Sequence, residues 1–262
     1  MTQNFLKEIV AHKKSLLKAK KAFFNEWQPS VKKTRMSRYG LFQRQISRPD
    51  SLNLVAEIKK ASPSRGLIRH DFNALTIADI YTANGAAALS VVTEEKYFLG
   101  KLGYLRDIAA CSPVPVLCKD FIIDVVQIYE AFYYGASAIL LITAILSDAQ
   151  IREFLATARQ LDIDCLLEIH NEQELRRALA LEAPIIGINN RDLDTFEVDL
   201  SVSERLIPLI PKDRVIVVES GIRDHDDIVR FQQLGAQAVL IGEVFMRAKD
   251  IAQAMKNIMG DK

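Results

Sequence analysis

The residues of this chain that could do chemistry are polar groups at the ends of apolar runs. The stretch NLVAEIKKASPSRG at 53–66 starts as a buried strand and then carries Glu57 and Lys59. Two residues apart, they leave the same face of an extended chain, while Lys60 leaves the other. Glu and Lys are almost never fully buried unless paired. The pattern recurs: Lys119-Asp120 closes VPVLCKD, Glu168 and His170 close DCLLEIH, and Asn189-Asn190-Arg191 follow PIIGI. Glu219-Ser220-Gly221 follow RVIVV, Gly242-Glu243 follow AVLI, and Thr93-Glu94-Glu95-Lys96 and Thr143 end two further runs. Lysines 59 and 119 with glutamates 57, 168 and 219 suit proton transfers to and from a carbonyl, or a Schiff base. A dry site or a second cation lowers a lysine pKa toward useful acidity, and a carboxylate beside it raises it again. Pairs that merely satisfy each other are the bland alternative, but buried ion pairs are poor stabilisers, which favours chemistry.

Such residues need elements to position them. Eight apolar runs, at 52–58, 87–92, 114–119, 138–143, 164–169, 184–189, 214–220 and 238–243, read as strands. Between them lie segments of helical spacing, such as DVVQIYEAFYYG, AQIREFLATARQL, EQELRRALA and HDDIVRFQQLG. Continuous apolar strands alternating with helices indicate βαβ units and a parallel sheet. NGAAALSVV, YGASAILLI and LGAQAVLIG each place Gly-Ala at a helix exit, with LEAPIIGIN at the intervening place, which suggests a repeat of two βα units. The expected fold is α/β, a (β/α)8 TIM barrel over residues 1–262, with residues 1–50 an N-terminal helical extension covering the barrel mouth. A doubly wound open sheet is the runner-up, but the turn after the first strand, KKASPSRG, lacks its GxGxxG signature.

In a barrel the chemistry belongs to the C-terminal strand ends, where the polar residues gather. Ser220-Gly221 and Gly242-Glu243, in the last two loops, allow backbone N–H groups to approach an anion such as a phosphate. Glu168 and His170 share a strand face, yet no second His or Cys cluster completes a metal site. His12, His70 and His225 read as surface or helix-start residues, and Cys118, out of phase with Lys119, as packing against the helical layer.

Composition narrows the class. Nearly half of the 262 residues are hydrophobic, enough for a full core. The longest apolar stretch, ILLITAIL, is far short of the ~20 residues of a membrane span. MTQNFLKEIV lacks a secretory h-region, and three cysteines without CxxC spacing suggest reduced thiols, so a cytoplasmic protein is expected. Residues 1–50 hold 12 Lys/Arg against 3 Asp/Glu, a basic arm without the aromatics or motif of a nucleic-acid binder. It reads as an amphipathic helix with Leu6, Ile9, Val10, Leu16, Leu17 and Phe24 roughly on one side.

AEIKKASPSRG, SVVTEEKYFLG, VLCKDFIID, LLEIH, GINNRDL, VESGI and LIGEVFM, in this order, resemble the indole-3-glycerol phosphate synthase family from about residue 5 to the C-terminus. The resemblance implies conversion of 1-(2-carboxyphenylamino)-1-deoxyribulose 5-phosphate to indole-3-glycerol phosphate, carbon dioxide and water, in tryptophan biosynthesis, without cofactor or metal. It implies Lys119 as general acid at the ribulose carbonyl, Lys59 and Glu168 as acid and base for dehydration, and Glu57, Asn189 and Glu219 as orienting groups. The two lysines are interchangeable between these steps on this reading. Substrate binding is expected from Ser62, Arg191, Ser220, Gly221, Gly242 and Glu243, the last through its N–H, with Phe98 and Phe121 walling the anthranilate ring. The implied partner is an anionic phosphosugar, with other tryptophan-pathway enzymes as candidates and neither nucleic acid nor membrane. The basic arm would draw in the substrate's phosphate and carboxylate. A Schiff-base aldolase of the same fold and a non-catalytic phosphosugar or nucleic-acid binder are the alternatives.

Overall fold

A computed structural model describes residues 5–27, 39–49 and 51–260. Eight parallel strands close into a barrel in sequential order: β1 Asn53–Ile58, β2 Ala88–Val92, β3 Val116–Lys119, β4 Ala138–Ile142, β5 Asp164–Ile169, β6 Ile185–Asn189, β7 Val215–Glu219 and β8 Ala238–Ile241. All eight expected runs are strands, seven of them trimmed by a residue or two.

Alternation divides each strand between two layers. Val55, Leu117, Leu140, Leu166, Val217 and Leu240 point into the barrel and fill it. Their neighbours, among them Leu54, Leu89, Ile139, Leu167 and Val218, pack outward against the helices, and Cys118 lies with them as expected. Burial on both faces is why these strands read as unbroken apolar runs. Two residues beyond the interior positions, the same parity carries Glu57, Lys119, Glu168 and Glu219 to the inside of the mouth.

Helices α3 Ala74–Ala83, α4 Leu102–Cys111, α5 Val125–Tyr133, α6 Asp148–Gln160, α7 Glu172–Ala180, α8 Ser201–Leu206, α9 His225–Leu234, α10 Glu243–Arg247 and α11 Ile251–Met259 follow the strands. Side chains of Asn73, Asp124, Ser147, Asn171, Asp224 and Asp250 cap six of them by accepting a first-turn N–H. Each such cap contributes about 1 kcal/mol. The Gly-Ala exits do sit at left-handed residues, Gly85, Gly135 and Gly235, with Glu182 at the intervening place. Asp162 after α6 adopts the same conformation, so the device belongs to the helix-to-strand turn and not only to every second unit.

The N-terminal segment works at both ends of the barrel. Helix α1, Phe5–Trp27, buries Ile9 and Leu17 but leaves Leu16 40 % exposed, off the face expected of it; the Phe24 side chain lies outside the described residues. Phe5, Leu6 and Ile9 reach the mouth. Helix α2, Leu41–Ile46, sits instead at the opposite end, where Phe42 and Ile46 are fully buried among the first residues of the strands. Asp164, first residue of β5, holds it there by accepting N–H bonds from Gly40 at 2.8 Å and Gln43 at 3.1 Å. The expectation for residues 1–50, a cover over the mouth, therefore divides into a mouth helix and a bottom plug. The parts at 1–4, 28–38 and 50 lie outside the described residues. No helix among the described residues is long and apolar enough to cross a membrane.

Candidate active site

Lys119, last residue of β3, places its ammonium between two carboxylates, Glu168 of β5 at 3.0 Å and Glu219 of β7 in closer contact. Glu57 and Lys59 of the first strand end form a second pair across the mouth. Residues from four strands thus meet inside the barrel, the three glutamates each no more than 5 % exposed. Two glycines make room for them. A Cβ at Gly187 on β6 would strike the Glu219 carboxylate, and one at Gly242 after β8 would strike Glu57.

The charges set each other's protonation. Burial alone would lower the Lys119 pKa, but the charges of Glu219, Glu168 and Glu57 outweigh it and hold the amine firmly protonated. Of the two opposed effects expected from sequence, the carboxylates win. Burial would raise Glu57, and the charges of Lys59 and Lys119 bring it below its ordinary value. Burial would likewise raise Glu168, yet Lys119 and His170 hold it well below the carboxylate range. Glu219 shares Lys119 but has no histidine, and burial, together with the like charge of Glu168, pushes it up to about 7 against the pull of Lys119. Glu168 and Glu219, sharing Lys119, therefore titrate as a pair in which Glu219 is the more basic.

Beside the cluster runs an apolar slot. The Phe98 and Phe121 rings lie 6.0 Å apart, and Leu140 and Ile142 complete its floor within a cavity of about 480 Å³. That volume falls in the range of small-ligand sites. The loop carrying Phe98 is shaped by Glu94, whose buried carboxylate accepts N–H bonds from Lys96 at 3.2 Å, Tyr97 at 2.7 Å and Phe98 at 3.1 Å.

The opposite side presents turned backbone amides. Ser220 and Gly221 take consecutive left-handed conformations, and a Cβ at Gly221 would press into Val198 and Leu200. Successive turned amides can present their N–H groups to an anion. The Asn189 Oδ1 accepts from Ser220 Oγ at 2.9 Å and Arg191 N at 3.0 Å, which fixes the amide in the cavity wall. Gly242 leads into α10, and the Glu243 side chain turns to Arg65 at 2.9 Å and Arg191 at 3.2 Å. Ser62 is buried at the rim in a short hairpin, Ala61–Ser62 with Gly66–Leu67. Lys60 leaves this face and stands 6.0 Å from the Phe72 ring.

All fourteen candidate residues line the one cavity. Arg191 is more committed than expected, since its guanidinium also donates to Phe196 O at 3.0 Å. Sequence reasoning named Glu94 only as part of a polar strand end and passed over Gly187 and Lys13, whose ammonium pairs with Asp120 beside Lys119. The spacing TEEKYF, an acid before three loop amides, is a signal for Glu94; nothing local marks the other two.

Fold and site together define a (β/α)8 barrel that gathers lysines, carboxylates and turned backbone amides at its C-terminal strand ends. The sequence profile of the family described as indole-3-glycerol phosphate synthase matches residues 6–258. An indole-3-glycerol phosphate synthase from Acetivibrio thermocellus is 47% identical over 253 residues, covering 96% of this chain and 97% of that one. Another, from Acidithiobacillus ferrooxidans, is 44% identical over 262 residues, covering 98% and 99%. The chain belongs to the indole-3-glycerol phosphate synthase family, carboxy-lyases of tryptophan biosynthesis. Among solved structures, 3-hexulose-6-phosphate synthase from Salmonella typhimurium is similar with a TM-score of 0.65 at 14% identity, covering 79% of this chain and 97% of that one. A mandelate oxidase variant gives 0.60 at 18% identity, covering 80% and 71%. At such identities these likenesses show the barrel alone.

Proposed function

We propose that this site closes the indole ring of 1-(2-carboxyphenylamino)-1-deoxyribulose 5-phosphate by Lys/Glu acid–base catalysis. The observation that carries the reading is the Lys119 ammonium held between Glu168 and Glu219 at the end of an apolar slot. The aromatic ring enters the slot between Phe98 and Phe121. The phosphate meets the amides of Ser220, Gly221, Gly242 and Glu243, with Ser62 and Arg191 at its rim. Phosphate arrival competes with the Glu243 carboxylate for Arg191 and Arg65.

In this orientation the ring carbon bearing the carboxylate attacks the ketose carbonyl, and Lys119 donates to the oxygen that gains charge. The bond to the carboxylate then breaks, carbon dioxide leaves, and its electron pair restores the aromatic ring. Glu168 takes a proton from the carbon beside the nitrogen, and Lys59 protonates the departing hydroxyl, which leaves as water. Glu57 keeps Lys59 charged and placed, while Asn189 and Glu219 position the substrate hydroxyls and Lys119. The carboxylates that keep Lys119 protonated weigh against a Schiff base, which needs the free amine. Helix α1 belongs to the same unit through its cavity-lining residues, and we place the enzyme in the cytoplasm.

The test is fluorescence of the indole product from this substrate with wild type, Lys119→Ala and Glu168→Gln. Losses of at least ~10² in kcat with intact folding are expected. Near-normal rates for Lys119→Ala overturn the assignment.

A further inference from the structure

One motif remains unassigned by that reading: His170, two residues past Glu168 in EIHNEQE. Glu168 is a carboxylate held from two directions. Its Oε2 receives Lys119 at 3.0 Å, and its Oε1 lies 3.2 Å from His170 Nε2, at ion-pair distance without the alignment of a hydrogen bond. The imidazole is itself held from behind. Nδ1 lies 3.2 Å from Glu174 Oε2, and the same oxygen accepts the His170 backbone N–H at 2.8 Å. Glu174 in turn is anchored in the first turn of α7, its Oε1 taking Asn171 Nδ2 at 3.0 Å and its N–H reaching Asn171 Oδ1 at 2.9 Å.

We propose that His170 is a positioning residue for Glu168: its cationic ring, clamped by Glu174, keeps the base ionised and in place while Lys119 engages the substrate. The inference rests on the acid–base reading of the site.

The physical case has three parts. An imidazole facing a carboxylate at each nitrogen interacts favourably with both only when both nitrogens carry protons. Burial would lower its pKa, but Glu168 and Glu174 prevail and raise it to about 10. Asp192, in the loop after β6, also feels the ring's charge, so the groups around it are acids from three elements. Finally, Lys119 is shared with Glu219, and donating to a substrate oxygen draws it from its carboxylates. Glu168 would then be a buried carboxylate with no cation, which raises its pKa and removes it as a base. His170 is the cation that stays.

The experiment is the pH dependence of kcat for indole-product formation in wild type, His170→Ala, His170→Gln and Glu174→Gln, each checked for folding by thermal unfolding. His170→Ala is expected to lower kcat at least ~10-fold while KM changes less than roughly threefold. Its acid limb should move to higher pH by about one unit or more, as expected when a carboxylate loses an adjacent cation. His170→Gln, which keeps bulk and a donor but no charge, should regain part of the rate while its acid limb stays displaced to higher pH. Glu174→Gln should move the limb in the same direction by less. An unshifted acid limb in the His170 variants overturns the proposal even where the rate falls, because a structural role alone lowers rate without moving the limb. Should neither His170 variant fold, an unshifted limb in Glu174→Gln overturns it instead. A wild type without indole product overturns the parent reading, a separate and recognisable failure.

Discussion

Lys13 of α1 and Asp120, the residue after Lys119, form an ion pair of 2.5 Å with each side chain only 10 % exposed. Asp120 also accepts from Thr93 Oγ1 and from Phe121 N, each at 2.7 Å. One carboxylate therefore ties the N-terminal helix to the ends of β2 and β3, beside the residue proposed as acid. Lys20 and Lys21 continue the attachment to Glu130 and Asp124 of α5. These three basic residues take part in docking the helix.

Lys13→Ala should loosen α1 without unfolding the barrel. Breaking a buried pair costs about 3 kcal/mol, and here the cost falls on a helix that can lift away locally. Amide exchange in α1 should rise, and KM should rise more than kcat falls, because Phe5, Leu6 and Ile9 line the cavity. Unchanged exchange in α1, measured by mass spectrometry, would contradict the docking role.

Gly187→Ala and Gly242→Ala should damage catalysis through their neighbours. The new methyl at 187 meets the Glu219 carboxylate and that at 242 meets Glu57, so each variant displaces one acid. We expect kcat to fall ~10- to 100-fold, since misplacement of about 1 Å is costly in a reaction that depends on alignment. Steady-state kinetics beside unfolding curves check this; full activity in both would show that the carboxylates tolerate relocation.

Asp164→Ala should do the reverse. It removes the side chain that binds Gly40 and Gln43 N–H groups under the barrel, far from the chemistry. Loss of a cap and stranding of buried donors together cost about 2 kcal/mol, or roughly 4–8 °C in Tm. kcat at a permissive temperature should stay within about twofold. A large fall in kcat would mean that the bottom plug communicates with the mouth.

Stability should decline with pH in a window set by His170. Its folded pKa, about 10, exceeds the ordinary 6.5, so the folded state holds a proton that the unfolded chain has released. The stabilisation is complete below 6.5 and is lost as pH rises toward 10. Between pH 7 and 8, below the ordinary thiol range of about 8.5 in which unfolding would release protons from the buried Cys118 and Cys165, the urea midpoint of wild type should fall and that of His170→Gln should stay flatter. Equal slopes would mean that the ring is neutral in the folded state.

Legibility followed the range of the interactions. The strands were legible because a parallel strand buried on both faces writes an unbroken apolar run into the chain. The site was legible because strand parity is local: Glu57, Lys119, Glu168 and Glu219 lie two residues beyond an interior apolar position on their own strands. His170 was visible as a strand-face neighbour of Glu168, yet its second acid is made known only by the turn into α7. The hairpin at Ala61–Ser62 was too short to leave a pattern.

The amino-acid sequence by itself determined the barrel, its strand order and the face each polar residue occupies, since periodicity and parity are properties of neighbouring residues. Tertiary structure alone decided which charges meet. Lys119 reaches Glu168 and Glu219 across 49 and 100 residues, Gly187 yields its space to a carboxylate on the next strand, and α2 goes to the bottom. Protonation follows the same rule, because burial and the summed field of several strands overrule what any one residue type prescribes.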